Sequence, residues 1–195
     1  MNMNKNIALI DFGAGNLHSV YKAFSFIGAN IEITKDPLVI EKASAVIFPG
    51  VGAFGSTMQS IRKNKLDEII TKSAKSLKPF LGICMGMQVL FDSSEEESGE
   101  KGLSVLKGRV VRFKKACKVP HIGWNQVNPL RKEFYFVHSY YVIPEDKSIV
   151  YTETEHEGER FVSAVKKENI LAVQFHPEKS GDAGLEFLKD FVKRV

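Results

Sequence analysis

Four short apolar runs do most to restrict how this chain can fold: Ile7 to Ile10, Ile31 to Ile33, Ala45 to Phe48 and Phe80 to Ile83. Runs of this length bounded by turn residues read as strands, and the stretches between them carry helical patterns. Leu17 to Ile27 sets Leu17, Val20, Tyr21, Phe24 and Ile27 at helical spacing, and Gly28 and Asn30 then stop it. Pro49-Gly50-Val51-Gly52 ends the third run, and a helical region follows that closes before Pro79. Strand, helix and strand in succession require right-handed crossovers, hence a parallel sheet with helices on both faces.

From about Gly102 the pattern changes. Leu103 to Phe113, Phe134 to Ile143, Ile149 to Thr154, Phe161 to Val165 and Ile170 to Phe175 read as strands joined by short polar turns. They are expected to extend the same sheet in antiparallel fashion. Ala183 to Val195 closes the chain as a helix with a stripe of Leu185, Phe187, Leu188, Phe191 and Val192. With 195 residues, no repeat and no linker, one α/β domain over 1–195 is expected.

The net charge of +4 is spread among acids, as in Glu155 to Arg160, so a nucleic-acid groove is not expected. No stretch approaches the ~18 apolar residues that span a bilayer, and the polar start Met1 to Asn6 has no signal-peptide core. The two cysteines, Cys84 and Cys117, lack CxxC spacing. A disulfide framework or zinc site is therefore not expected, and the cytoplasm is the natural compartment. Cys117, among Lys114, Lys115 and Lys118 without flanking glycines, reads as a structural or surface cysteine.

Leu81-Gly82-Ile83-Cys84-Met85-Gly86-Met87-Gln88 is the segment richest in chemistry. An apolar strand runs into Cys84 and a helix-compatible stretch, Met85 to Phe91, begins at once. Glycines two positions on either side suit a nucleophile elbow, where a strained turn leaves no room for side chains. A thiol at a helix N-terminus would also ionise more readily. Taken alone, the segment equally fits a buried cysteine beside packing glycines.

A nucleophile needs a base. Val173-Gln174-Phe175-His176-Pro177-Glu178 puts His176 just past an apolar strand, with Glu178 two positions on and facing the same way. The carboxylate can then fix the imidazole tautomer while the other ring nitrogen meets the thiol. A strand-end histidine with a solvent-exposed glutamate is the plainer reading of this segment by itself. Acyl transfer also needs oxyanion donors. The N–H of Met85 is one candidate, and the Gly50–Val51 peptide in the loop ending at Gly52 is another; that loop also reads as a simple βα turn.

Together these segments resemble the class I, triad-type glutamine amidotransferases: oxyanion loop, G-x-C-x-G-x-Q elbow, then a late H-P-E. The resemblance implies a flavodoxin-like fold and a Cys84–His176–Glu178 triad that hydrolyses L-glutamine to glutamate and ammonia through a glutamyl thioester. It implies that Gln88 and the Gly52 backbone hold the substrate. Glu96 would meet its α-amino group, and the backbone of His138, Ser139 and Tyr140 its carboxylate. No metal or organic cofactor is implied.

Asp11-Phe12-Gly13-Ala14-Gly15-Asn16-Leu17, Lys118 to Asn125, Tyr135 to Tyr140 and His176 to Ser180 are similar to the glutaminase subunits of imidazole glycerol phosphate synthases. Phe12, where tyrosine is common, and Gly181, where a polar residue is usual, depart from that pattern without touching the chemistry. The resemblance implies a heterodimer with a (β/α)8-barrel cyclase, which uses the ammonia to make imidazole glycerol phosphate and an aminoimidazole carboxamide ribotide in histidine biosynthesis. Asn16, Pro120, His121, Asn125 and Lys179 would belong to the partner interface, with Trp124 and Tyr135 lining the ammonia passage. Glycines flanking Val51 would allow a peptide flip at Gly50–Val51 that switches activity on when the partner is loaded. Three alternatives remain: a paralogous glutaminase serving a different synthase, such as one modifying a surface sugar; a Cys–His hydrolase acting alone; and a binding subunit without catalysis.

Overall fold

The computed structural model describes residues 5–13, 16–97, 99–116 and 118–195; Cys117 lies outside them. In chain order the elements begin with β1 (Ile7–Ile10), α1 (Leu17–Phe26), β2 (Ile31–Thr34), α2 (Pro37–Lys42), β3 (Ala45–Gly50) and α3 (Phe54–Lys63). Then come α4 (Asp67–Ala74), β4 (Phe80–Cys84), α5 (Met85–Gln88), β5 (Ser93–Ser94), β6 (Gly108–Arg112), β7 (His121–Val127) and β8 (Lys132–His138). The last are β9 (Tyr140–Pro144), β10 (Val150–His156), β11 (Glu159–Lys167), β12 (Ile170–Val173) and α6 (Gly181–Val192).

The main sheet runs β2-β1-β3-β4-β12-β11-β9-β6-β5, with β10 paired to β11. Every pairing from β2 through β12 is parallel, in the order of flavodoxin-like folds, whose ligands bind at the carboxyl ends of the strands. From β12 onward β11, β9 and β6 pair antiparallel. The sheet is therefore mostly parallel at its centre with an antiparallel extension from the later part of the chain.

Alternation along each parallel strand supplies two apolar faces. Ala8, Ile10, Val46, Phe48, Phe80, Ile170 and Ala172 bury one face against Ile40 of α2, Phe54, Met58 and Ile61 of α3, and Ile69 and Ile70 of α4. Ile7, Leu9, Ala45, Ile47, Leu81, Ile83, Leu171 and Val173 bury the other against Val20 and Phe24 of α1 and Leu188 and Phe191 of α6. Each such side chain contributes roughly 1.5–3 kcal/mol when fully buried.

Three features depart from the pattern read in the sequence. Residues 103–107 are not strand: Leu103, Val105 and Leu106 give their N–H groups to the carbonyls of Val89 and Leu90, so β6 starts only at Gly108. The single run from Phe134 to Ile143 breaks at Ser139 into β8 and β9. Pro120 to Asn125, which has the composition of a loop, is mostly strand β7, and it pairs with β8 as a separate two-stranded ribbon.

Candidate active site

Three adjacent parallel strands deliver their carboxyl ends to one place. The β3–β4 register sets Gly50 beside Cys84, and β12 lies on the other side of β4. Glycines make this approach possible. A Cβ on Gly86 would sit 2.0 Å from the Phe48 carbonyl oxygen, and one on Gly50 would sit 2.7 Å from both Gly86 N and Met85 Cβ. One on Gly82 would meet the Gly86 oxygen at 2.9 Å. Cys84 itself has φ +54° and ψ −111°, a backbone state that costs a non-glycine residue on the order of 1–3 kcal/mol and clusters at functional sites.

The helix after Cys84 is shorter than its sequence suggests. Only Met85–Gln88 is α-helical, and Leu90 and Phe91 close tighter bonds to Met87 and Gln88. A single turn has little macrodipole, so electrostatic support for a thiolate falls to neighbouring side chains. His176 is that neighbour. Its Nδ1 lies 2.8 Å from Glu178 Oε1, and the two side chains are 1% and 2% exposed. Burial works against the imidazolium, but the Cys84 thiolate charge and Glu178 outweigh it and push His176 up to about 10. His176 Nε2 is buried without a hydrogen-bond partner. The Cys84 sulfur favours the imidazolium both by charge and as a hydrogen-bond acceptor, although Nε2 closes no well-aligned hydrogen bond in this structure.

Ser180 clamps this turn. Its hydroxyl donates to the His176 carbonyl at 2.6 Å and accepts from Tyr135 N–H at 2.9 Å, and His176 N–H binds the Tyr135 carbonyl at 2.9 Å. These bonds lock the histidine-bearing loop to β8.

A cavity of about 300 Å³ opens over Cys84. Val51, Gly52, Met85, Gln88, Glu96, Pro120, His138, Ser139, Tyr140 and His176 line it, together with Val137. Glu96 reaches it from a distant loop, because Phe54 N–H at the start of α3 donates to its Oε2 at 2.7 Å. That bond fixes the carboxylate and leaves Oε1 for another partner. Gln88 is 2% exposed; its Nε2 donates to the Tyr140 carbonyl at 3.0 Å and to Gln174 Oε1 at 2.9 Å, while its Oε1 has no partner. Sequence reasoning gave Gln174, Ser180 and Val137 no role.

The expected partner-facing residues divide. Trp124 on β7 is exposed at 56%, beside Ile122 on β7 and Val137 on β8, which are exposed too although sequence reasoning gave them no contact. Trp124 pairs across the ribbon with Tyr135, ring edge to face at 6.3 Å, and Lys179 Nζ lies 6.0 Å over the Tyr135 ring. Asn16 precedes α1 and accepts the Ser19 hydroxyl. His121 turns inward instead, because alternation puts it on the ribbon's buried face with Phe136 and His138. Its Nδ1 lies 3.2 Å from His138 Nε2, its Nε2 lies 3.2 Å from Asn125 Nδ2, and His138 Nδ1 lies 2.8 Å from the Tyr140 carbonyl. Burial is the main cause that lowers these two imidazoles to about 4 and about 3. Both are neutral at pH 7 and their nitrogens are taken up inside the protein.

Comparison with known proteins agrees with this geometry. The model of the glutamine amidotransferase class-I family matches residues 8–195. Among curated relatives, the imidazole glycerol phosphate synthase subunit HisH of Pyrococcus furiosus is 47% identical, covering 95% of this chain and 97% of its own. The subunit of the same name from Methanothermobacter thermautotrophicus is 45% identical over 97% and 98%. Among solved structures, a glutamine amidotransferase superposes with TM-score 0.76 at 18% identity over 96% of this chain and 97% of that one. PurLQS from Thermotoga maritima gives 0.77 at 17%, over 98% and 99%. Matched over nearly its whole length, with Cys84 on a strained strand-to-helix turn and a buried His–Glu pair at the ends of a 2-1-3-4 parallel sheet, the chain belongs to the class-I glutamine amidotransferase family, and within it to the HisH subunits.

Proposed function

We propose that the chain, read as one domain over 1–195, hydrolyses the side-chain amide of L-glutamine with Cys84 as nucleophile, His176 as base and acid, and Glu178 as its orienting partner. The observation that carries this reading is the buried His176–Glu178 pair, whose free Nε2 and raised affinity for a proton sit beside a cysteine on a strained elbow. His176 takes the proton of the Cys84 thiol as glutamine is attacked, and returns one to the sulfur when the cycle closes. The thiolate adds to the carboxamide carbon, and the oxyanion takes up hydrogen bonds from the Met85 N–H and the Gly50–Val51 peptide N–H. The C–N bond breaks as His176 passes its proton to the leaving nitrogen, which departs as ammonia. His176 then takes a proton from water, hydroxide attacks the thioester, and glutamate leaves.

Gln88 supports an amide substrate. With both of its N–H bonds committed to Tyr140 and Gln174, the free Oε1 can only accept, which suits an N–H of the substrate carboxamide. The free oxygen of Glu96 suits the α-ammonium, and Gly52 with the segment from His138 to Tyr140 suits the α-carboxylate.

The ammonia passes to a separate (β/α)8-barrel cyclase that makes imidazole glycerol phosphate and an aminoimidazole carboxamide ribotide in histidine biosynthesis. Support comes from the relatives, which carry the name of a synthase subunit, and from the exposed Trp124, Tyr135 and Lys179 group. Asn16 and Pro120 complete the proposed contact, whereas His121 and Asn125, bonded to each other on the inward side of the ribbon, support it from within. A cytoplasmic setting keeps Cys84 a thiol. The test is glutamate release by wild type and Cys84→Ala, each with and without the barrel subunit and its nucleotide ligand. Release that requires Cys84 and rises on adding the loaded barrel is expected. Release that survives Cys84→Ala would refute the mechanism, and full activity without the barrel would refute the partner dependence.

A further inference from the structure

The nucleophile has a second polar neighbour that the triad does not include. Gln174 follows β12, is fully buried, and places Nε2 3.5 Å from Cys84 Sγ. Which end of its carboxamide faces the sulfur follows from the chain of partners. A backbone carbonyl only accepts, so the group on Gln88 that meets the Tyr140 oxygen must be its NH2. The same NH2 meets Gln174, so Gln174 must present its oxygen there. Its own NH2 is then the end left for Cys84. A second donor to this carbonyl is set in the same way, because His138 Nδ1 also meets the Tyr140 oxygen and therefore carries hydrogen.

We propose that Gln174 is a nucleophile-positioning residue, donating an N–H to the Cys84 sulfur so that the thiolate is held and oriented before glutamine arrives. This rests on Cys84 being the nucleophile. Burying a carboxamide at a site where an aliphatic side chain of similar length would pack is costly unless its hydrogen bonds are made. All three that Gln174 makes run inward: its backbone N–H to the Ser163 carbonyl, its oxygen to Gln88 and its NH2 to sulfur. Gln174 does not line the cavity, so it acts on the sulfur and on the Gln88 orientation without contacting substrate. A hydrogen bond donated to the charged form favours that form. With no helix longer than one turn behind Cys84, this donor complements the charge of His176.

The test measures the pH dependence of iodoacetamide alkylation in the full chain carrying Cys117→Ser, which leaves Cys84 as the one thiol. Gln174→Met removes the donor at similar length. Gln174→Glu keeps an acceptor for Gln88 and puts negative charge beside the sulfur. The expected result is a rise of about one to two pH units in the thiolate midpoint for Gln174→Met, as for loss of one hydrogen bond to a charged group, and a larger rise for Gln174→Glu. In the complex with the barrel subunit, kcat of Gln174→Glu, which keeps the acceptor for Gln88, falls about tenfold or more while KM changes less than twofold.

A wild-type measurement needs no variant: the side-chain amide resonances of Gln174 titrate with the same midpoint as Cys84 alkylation. Unshifted alkylation midpoints in folded variants, or Gln174 amide resonances that ignore the Cys84 titration, would overturn the proposal while leaving the triad intact. If Cys84→Ala still released glutamate, the triad reading itself would fail.

Discussion

Replacing Gly86 with alanine tests the idea that close backbone contact builds the elbow. The added Cβ would lie 2.0 Å from the Phe48 carbonyl oxygen and 2.9 Å from its carbon. Neither atom belongs to a flexible side chain, since both are part of β3 and held by its parallel pairing with β1 and β4. Restoring ordinary contact requires more than about 1 Å of separation, which must come from moving α5 away from the sheet. Overpacking of this kind typically costs about 1–3 kcal/mol, and here the upper end applies because backbone opposes backbone. For a domain of this size, about 3 kcal/mol corresponds to a fall of roughly 6–12 °C in Tm. The same shift moves Cys84 relative to His176, and a misplacement of about 1 Å can cost on the order of 10²-fold in rate. The assay pairs urea unfolding with glutamate release in the complex. Gly158→Ala is the control: φ is +79° but nothing lies within 4 Å of the new Cβ, so it loses roughly 1 kcal/mol from the backbone alone and keeps its rate. A Gly86→Ala protein with wild-type stability and turnover would refute the close-contact account.

Two further outcomes follow from burial and charge. His121 and His138 are lowered by burial to about 4 and about 3, so they stay neutral when folded and take up protons on unfolding. Their contribution is present above pH 6.5 and lost as pH falls from there through 4, with a slope of at most about 1.4 kcal/mol per pH unit for each. His176 has the opposite sign: its contribution is complete below 6.5 and lost as pH rises toward 10, so it adds no slope in the acid window. Urea titrations from pH 7 to 4.5 should show the decline, and His121→Gln, which can replace both hydrogen bonds, should flatten it. Trp124→Ala, at an exposed position, should leave the stability of the isolated chain within about 0.5 kcal/mol. The same change should weaken binding of the barrel by about 2 kcal/mol or more, read by titration calorimetry; unchanged binding would place the interface elsewhere.

Local patterns made the centre of the fold readable. Each parallel strand is a short apolar run ended by turn residues, and Gly82 and Gly86 around Cys84 marked the elbow because their effect is confined to a few neighbours. His176 and Glu178 were readable for the same reason, being two positions apart on one segment. What escaped depends on distant partners. Gln174 looks like one more strand residue until Gln88, 86 positions away, is laid beside it. Glu96 looks like surface until the N-terminus of α3 binds it across 42 positions. His121 reads as part of an exposed loop because Pro120 and Gly123 obscure the alternation, and only pairing with β8 shows which face is buried. α2 is too short to show a helical stripe, and only Asp36-Pro37 signals its start: the Asp36 carboxylate accepts from Leu38 N–H at 2.8 Å.

The most direct test of the central claim is active-site labelling with a diazo-ketone analogue of glutamine, followed by peptide mapping of the complex. The account predicts one label per chain, on Cys84, blocked by glutamine and lost in His176→Ala, which cannot hold the thiolate. A label on any other residue, or labelling of Cys84 that glutamine does not prevent, would contradict it.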